Sequence, residues 1–420
     1  MERTDTLIVG GGQAGLAMSG HLSRMGVPHL VLERGRIAER WRSERWDNLV
    51  MNGPAWHDRF PELEFEGEDP DGFPGKERVA SYFEDYVAKF ALPVRCGVEV
   101  SRVQRAEGGG FVAQTSEGEI AAERIVAATG PFQVPVIPPV IPERAGLTQM
   151  HSVGYRNPGA LPEGAVLVVG AGSSGAQIAQ ELAEAGRKVF LSVGPHDRPP
   201  RSYRGRDFVW WLGVLGLWDM AAPPKGAEHV TIAVSGAHGG ETVDFRKLGA
   251  MMTLVGRTEA GEGSVVRFAP DLADNIAGGD ANYLSVLDAA DAYITRHALT
   301  LPEEPEAREM GADPACLRDP VLSIDLEAEG VRTVIWATGF KRDYGWLEVD
   351  AFDARGEPVH QRGVSPEAGV YFLGLPWLSR RGSSFIWGVW HDAKFIADQI
   401  GIQRSYAAYR GPGEGGDTGR

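Results

Sequence analysis

Cysteine is scarce: Cys96 and Cys316 are the only two in 420 residues, and they stand far apart. That excludes a disulfide framework, a cysteine-built zinc site and a C-x-x-C redox pair. No run of Lys and Arg marks a polyanion partner, and a formal net charge of −15 opposes one, so nucleic acid is not expected. Long apolar runs are missing too. The longest, FVWWLGVLGLW at 208–218, is too short to span a bilayer, so no integral membrane segment is expected. The first residues, MERTDTLIVGG, enter an apolar β-rich run without the basic and apolar segments of a secretion signal. Ser-His-Asp sets, H-E-x-x-H and paired-carboxylate motifs are likewise lacking, and no metal site is expected. These absences describe a cytoplasmic protein of a reducing compartment.

What is present is glycine in a particular grammar. After the short strand TLIV, Gly10, Gly12 and Gly15 form G-x-G-x-x-G, an apolar helical pattern follows, and the strand HLVLE closes on Glu33. Gly10 permits a tight turn, Gly12 admits a pyrophosphate to the backbone, and Gly15 lets helix and strand pack closely. The unpaired N–H groups and dipole of the helix N-terminus, with Gln13 and Ala14, favour phosphate. Glu33 suits a ribose 2′-hydroxyl, with Arg34 beside it. A second copy starts at AVLVV: Gly170, Gly172 and Gly175, with Ser173 and Ser174 opening the helix. Its next strand, KVFLS, ends on Ser192 where the first copy has an acid. Ser192 does not repel a 2′-phosphate, and Arg198, Arg201, Arg204 and Arg206 follow it. The first site therefore suits FAD or NAD and the second NADP; a solvated loop is the bland alternative for any one arginine.

ERIVAATG (123–130) and VRTVIWATG (331–339) are both apolar strands closing on Ala-Thr-Gly, Ala128–Thr129–Gly130 and Ala337–Thr338–Gly339. Small residues at the carboxyl end of a strand let a ligand approach, where open α/β sheets bind. The expected fold is α/β, with two Rossmann-like dinucleotide-binding domains, the NAD(P)H domain inserted into the FAD domain. The boundaries expected are 1–155 for the first part of the FAD domain, 156–330 for the NAD(P)H domain and 331–410 for the return. GPGEGGDTGR (411–420) is disordered by composition. KERVASYFEDYVAKF (76–90) reads as an amphipathic helix with an aromatic core face, and the segment from Val98 to Gly130 contains a small meander of strands. DFVWWLGVLGLWDM (207–220) fits a lid, a dimer contact or a buried helix, with buried helix the default.

The layout resembles the class B flavin-dependent monooxygenases, including flavin-containing, YUCCA-like and CzcO-like members. The resemblance spans nearly the whole chain. It rests on both glycine segments, ATGF (337–340), ERWRSERWDNLVMNGPAWHDRFP (39–61), QMHSVGYRNP (149–158), RSYRGRD (201–207), YFLGLPW and GVWHDAKFIADQI. The family motif F-x-G-x-x-x-H-x-x-x-[FY] is only partly met: the step from Gly146 to His151 is one residue longer than the motif's and the leading aromatic is missing, while His151 and Tyr155 keep their spacing. The Baeyer–Villiger version is not matched, so ketone oxygenation is not favoured. His151 is expected to be a linker residue hydrogen-bonded between domains.

The resemblance implies FAD and NADPH, with O2 and a small organic substrate as partners, a flavin at the domain junction and the backbone of Val100 against the adenine. NADPH would reduce FAD, and a flavin C4a-(hydro)peroxide would oxygenate the substrate at N, S or C. Asn52 is the candidate polar group at the flavin, with an Asx-turn before Pro54 as the alternative, and Trp41 a wall of its pocket. A reductase without oxygen insertion and a non-catalytic flavin sensor are the other classes; substrate and homo-oligomer formation stay open.

Overall fold

The computed structural model describes residues 1–225 and 231–409. The tail expected to be disordered, 411–420, lies outside them. The strand Glu2–Val9 ends in Leu7 and Ile8, both fully buried, each worth about 1.5–3 kcal/mol of burial. It pairs in parallel with His29–Glu33 on one side and Gly118–Ala127 on the other. Parallel neighbours need a crossover, and the helix Gln13–Arg24 supplies the first one, burying Leu16, Met18 and Leu22. Val94–Cys96 extends this sheet at one edge. Phe111–Thr115 and Val100–Arg105 continue it antiparallel beyond Gly118–Ala127, as a meander. The chain returns near its end to pair Leu347–Glu348 in parallel with Val100–Arg105 and Val370–Phe372 in parallel with Gly118–Ala127, completing eight strands.

The second sheet is wholly parallel, in the order Thr253–Val255, Val189–Ser192, Ala165–Val169, Val331–Trp336, Thr148–His151. Every residue of Ala165–Val169 is buried, as the unbroken apolar run AVLVV requires of a central parallel strand. In sequence the whole of this sheet lies between Gly118–Ala127 and Val370–Phe372.

The expected boundaries need correction. Thr148–His151 and Val331–Trp336 belong to the second sheet, although 1–155 and 331–410 had assigned them to the first. The two strands that end on Ala-Thr-Gly look alike in sequence because each is a buried parallel strand, yet they close different sheets. The chain crosses between the sheets at Val134–Pro135 and again at Phe340–Lys341, and these crossings pair antiparallel as a short ribbon. Val136 N–H donates to Gly339 O at 3.0 Å beside it.

The helix Lys76–Phe90 buries Val79, Tyr82, Phe83 and Tyr86 against the first sheet's core. The aromatic segment is a buried helix, Phe208–Val214. Its Trp211 packs with Leu287, Ala290 and Ile294 of the long helix Leu272–His297, and Trp218 closes with Phe208, Leu212 and Trp387. The C-terminal helix Ile386–Ala408 lies against Gln13–Arg24, where His21 Nε2 bonds Trp390 O at 3.0 Å. Among the described residues, no helix is long and apolar enough to cross a membrane.

Candidate functional site

The first glycine turn is built around contacts that allow no side chain. Gly10 has φ +113°, and a Cβ there would lie 2.6 Å from Ala128 O, so the turn is pressed against the end of the neighbouring strand. A Cβ on Gly15 would come within 1.9 Å of Gly10 O, which fixes helix against loop. A Cβ on Gly12 would meet nothing within 4 Å. That open side faces a cavity of about 700 Å³, a size usual for ligand sites. Gly10, Gly12, Gln13, Ala14, Glu33, Arg34, Trp41, Val100 and Ala128–Gly130 all line it, whereas Gly15 is packed away behind the turn. No acidic residue occupies the helix's first turn, so its unpaired N–H groups are left for an anion.

Glu33 is engaged by the protein's own backbone. Its carboxylate takes N–H groups from Gly11 at 2.7 Å and from Gly35 at 2.8 Å, bracing both walls of the cradle. Further along the cavity, Gln13 Nε2 donates to Ser384 O at 2.7 Å, and Gly374 approaches so closely that a Cβ would lie 2.8 Å from Ala14. Ser384 and Gly374 also line the cavity. Neither was legible beforehand, since both contacts join residues hundreds of positions apart.

The second turn repeats this geometry with one difference. Gly170 has φ +106°, and a Cβ would lie 2.5 Å from Ala337 O; one on Gly175 would lie 1.7 Å from Gly170 O. Gly172, however, is not open. Its Cβ would sit 3.4 Å from Thr231 Cβ, because the strand Thr231–Ile232, paired with His196–Asp197, passes over the helix N-terminus. Ser173 Oγ donates to Ile232 O at 3.0 Å and accepts from Val234 N at 3.1 Å, while Gln177 Nε2 donates to Val234 O at 2.9 Å. Ser174 is exposed beside this roof.

The residues expected to select a 2′-phosphate are otherwise engaged, and this corrects the expectation for Ser192, Arg198 and Arg201. Ser192 is 2 % exposed; its hydroxyl donates to Gly256 O at 2.9 Å and accepts from Thr258 N at 3.0 Å. Arg198 is buried against Asp280, at 2.9 Å from Nε and 2.5 Å from Nη2. Arg201 is buried against Asp207 at 2.5 Å, the same carboxylate that caps the helix Phe208–Val214. A buried guanidinium requires a charge partner; a distant helix supplies Asp280 to Arg198, and Asp207, six residues on, serves Arg201. The arginine left at that strand end is Arg257. It lies one residue past Gly256, with Cγ 3.2 Å from where a Cβ on Gly194 would be, its side chain 62 % exposed and paired with Asp271.

Asn52 is placed between the units rather than in the cavity lining. Its Oδ1 accepts from Gln177 Nε2 at 2.9 Å, and its carbonyl accepts from Arg201. Trp41 packs against the cores of both units and also walls the cavity. His151 Nε2 bonds Gly339 O at 2.9 Å, with its ring edge-on to Phe340. Burial first, and the nearby Arg45 charge with it, hold His151 below its ordinary range, which suits a neutral hydrogen-bonding linker more than a proton carrier. Thr338 Oγ1 donates to Val136 O at 2.6 Å, so the second Ala-Thr-Gly turn is tied to the crossing rather than to the first cradle.

Two glycine cradles at the ends of parallel sheets, with an open cavity running from the first toward the crossings, define an oxidoreductase of the flavoprotein type. The pyridine nucleotide-disulphide oxidoreductase family profile matches residues 7–204. An uncharacterized CzcO-like oxidoreductase of Geobacillus kaustophilus is 36% identical, covering 94% of this chain and 98% of its own. The indole-3-pyruvate monooxygenase YUCCA6 of Arabidopsis thaliana is 26% identical, covering 94% and 90%. A flavin monooxygenase from Stenotrophomonas maltophilia shares the fold with TM-score 0.66, at 20% identity and 97% and 100% coverage. The chain belongs to the class B flavin-dependent monooxygenase family, among its CzcO-like oxidoreductases, and is an enzyme.

Proposed function

We propose that the protein is an FAD- and NADPH-dependent monooxygenase acting on a small organic substrate. The observation that carries this reading is the open face of Gly12. The first cradle has the open face a pyrophosphate needs, and it leads into the cavity of about 700 Å³. In this reading the N–H groups following Gly12 hold the pyrophosphate, Glu33 takes the ribose hydroxyl, and Val100 lies at the adenine. Bound there, FAD would accept hydride from NADPH and, with O2, supply the oxygenating chemistry. The protein's own task is placement and exclusion of water. Trp41 closes the wall toward the second unit, and the Gln13–Ser384 bond fixes the C-terminal helix over the cavity. NADPH belongs at the second cradle, where residues 231–234 would have to lift from Gly172 and Ser173. The pairing with YUCCA6, named for oxygenating a 2-oxo acid, supports a small polar organic substrate.

The test is to purify the protein, measure bound FAD, and supply NADPH and ¹⁸O2 with thioethers, amines and aryl 2-oxo acids. One labelled oxygen atom in a product is the expected outcome. NADPH oxidation that yields only hydrogen peroxide or a reduced acceptor, with no label, would replace this reading with a plain reductase.

A further inference from the structure

Arg45 stands out among the charged groups of the cavity wall. Four charged residues on and just after the helix Glu39–Ser43 line the cavity: Glu39, Arg40, Glu44 and Arg45. Glu44 is taken by Arg40 at 2.8 Å, and Arg40 also donates to the carbonyls of Phe132 and Gln133 just past the first Ala-Thr-Gly turn. Arg45 is left with one backbone carbonyl, Glu44 O at 2.9 Å, and the face of Phe132 at 5.8 Å. Among the described residues no carboxylate lies within ion-pairing distance of it. The charges closest to it are Arg40 and the Glu44 carboxylate that Arg40 already holds, and its own charge helps to keep His151 below the ordinary range. Of the other acids on this wall, Glu33 is held by two backbone N–H groups, Glu39 by Arg36 and Asp343 by the Gly345 N–H, and neither these nor Glu99 pairs with Arg45.

A partly buried guanidinium that lines a cavity with no carboxylate paired to it is costly unless a ligand supplies one, and its planar fork matches carboxylate or phosphate oxygens in pairs. The buried arginines elsewhere follow the opposite rule. Arg198 and Arg201 each have their own carboxylate. We propose that Arg45 is an anion-recognition residue, taking the carboxylate of an organic-acid substrate or a phosphate of the nicotinamide nucleotide where the two units meet. This rests on the flavin reading of the cavity. The chemistry of the anion is the same for either source, and the two are separable by experiment.

The experiment uses FAD-loaded wild type, Arg45→Gln and Arg45→Lys, with FAD content measured first. Perturbation of the flavin absorbance is then titrated with NADP⁺, with phenylpyruvate and with phenylpyruvate methyl ester. Arg45→Gln is expected to weaken one of the two anions by about tenfold or more, leaving the neutral ester unchanged. Arg45→Lys, which keeps charge but loses the fork, should fall between. Weakened NADP⁺ assigns the anion to the nucleotide, and weakened phenylpyruvate assigns it to a substrate. Unchanged affinities in an Arg45→Gln protein that retains FAD overturn the proposal, as does a wild type that binds neither anion. Loss of FAD from Arg45→Gln alone also overturns it, by giving Arg45 to the flavin nucleotide. A wild type without FAD refutes the reading of the cavity instead. Should Arg45→Gln fail to fold, Arg45→Lys carries the same comparison.

Discussion

Gln177 Nε2 donates to Asn52 Oδ1 at 2.9 Å, and the same amide group donates to Val234 O at 2.9 Å. One side chain on the second unit's cradle helix thus fastens both the first unit and the segment that roofs Gly172. Asn52 is thereby a tie as well as a candidate flavin contact, and the two roles separate under mutation. If the tie dominates, Asn52→Ala and Gln177→Ala each slow NADPH-driven flavin reduction and the double variant is no worse than the poorer single. The coupling energy should be about 0.5–1.5 kcal/mol, read from a double-mutant cycle on thermal stability. Additive losses, with only Asn52→Ala altering product yield, would restore the flavin contact.

The second and third glycines of the first cradle should fail differently. Gly12 has ordinary extended backbone and empty space beside it, so Gly12→Val folds with wild-type circular dichroism yet loses FAD by tenfold or more. Gly15→Ala drives a methyl into Gly10 O and should cost upwards of about 3 kcal/mol or prevent accumulation of folded protein. Bound FAD and urea midpoints of the two variants check this. A yellow Gly12→Val would refute the cradle assignment.

Nicotinamide preference is expected to follow Arg257 rather than the buried arginines. Arg257→Ala should lower the NADPH-to-NADH ratio of kcat/KM by about tenfold, the worth of one charge-assisted hydrogen bond. Arg201→Ala strands Asp207 and should destabilise by about 3–5 kcal/mol without changing that ratio. A ratio near one in the wild type would make NAD the donor.

Acid should loosen the contact between the first and last helices. Burial foremost, and Arg24 beside it, push His21 down to about 4, so its neutral ring bonds Trp390 O and accepts from Arg24. The unfolded chain binds this proton near the ordinary 6.5. Stability from His21 is therefore whole above about 6.5 and is lost as pH falls toward 4, by about 3 kcal/mol in all. His21→Gln should show a flatter urea midpoint between pH 6.5 and 4.5 than the wild type. Identical pH slopes would exclude His21 as the group responsible.

Local grammar was legible and distant partnership was not. Gly10, Gly12, Gly15 and Glu33 lie within one strand-helix-strand unit, so their spacing alone specified the cradle, and the second copy followed by the same rule. Ser192 and Arg198 read as a phosphate site because nothing nearby in sequence announced Gly256, Thr258 or Asp280 turned back on them. Thr231 over Gly172 is a contact between residues about sixty positions apart, with no periodicity to betray it. The domain edges slipped for a related reason. Val331–Trp336 has the composition of any buried parallel strand, and only its pairing with Ala165–Val169 says which sheet it closes.

The paired crossings constrain how this molecule can move. A single tether would let one unit swivel freely about the other. Val134–Pro135 and Phe340–Lys341 instead run side by side, as two leaves on one pin, with Val136 and Gly339 hydrogen-bonded beside them. Such a ribbon bends across its face far more readily than it shears or twists. Relative motion of the two units is thereby confined chiefly to bending of this ribbon.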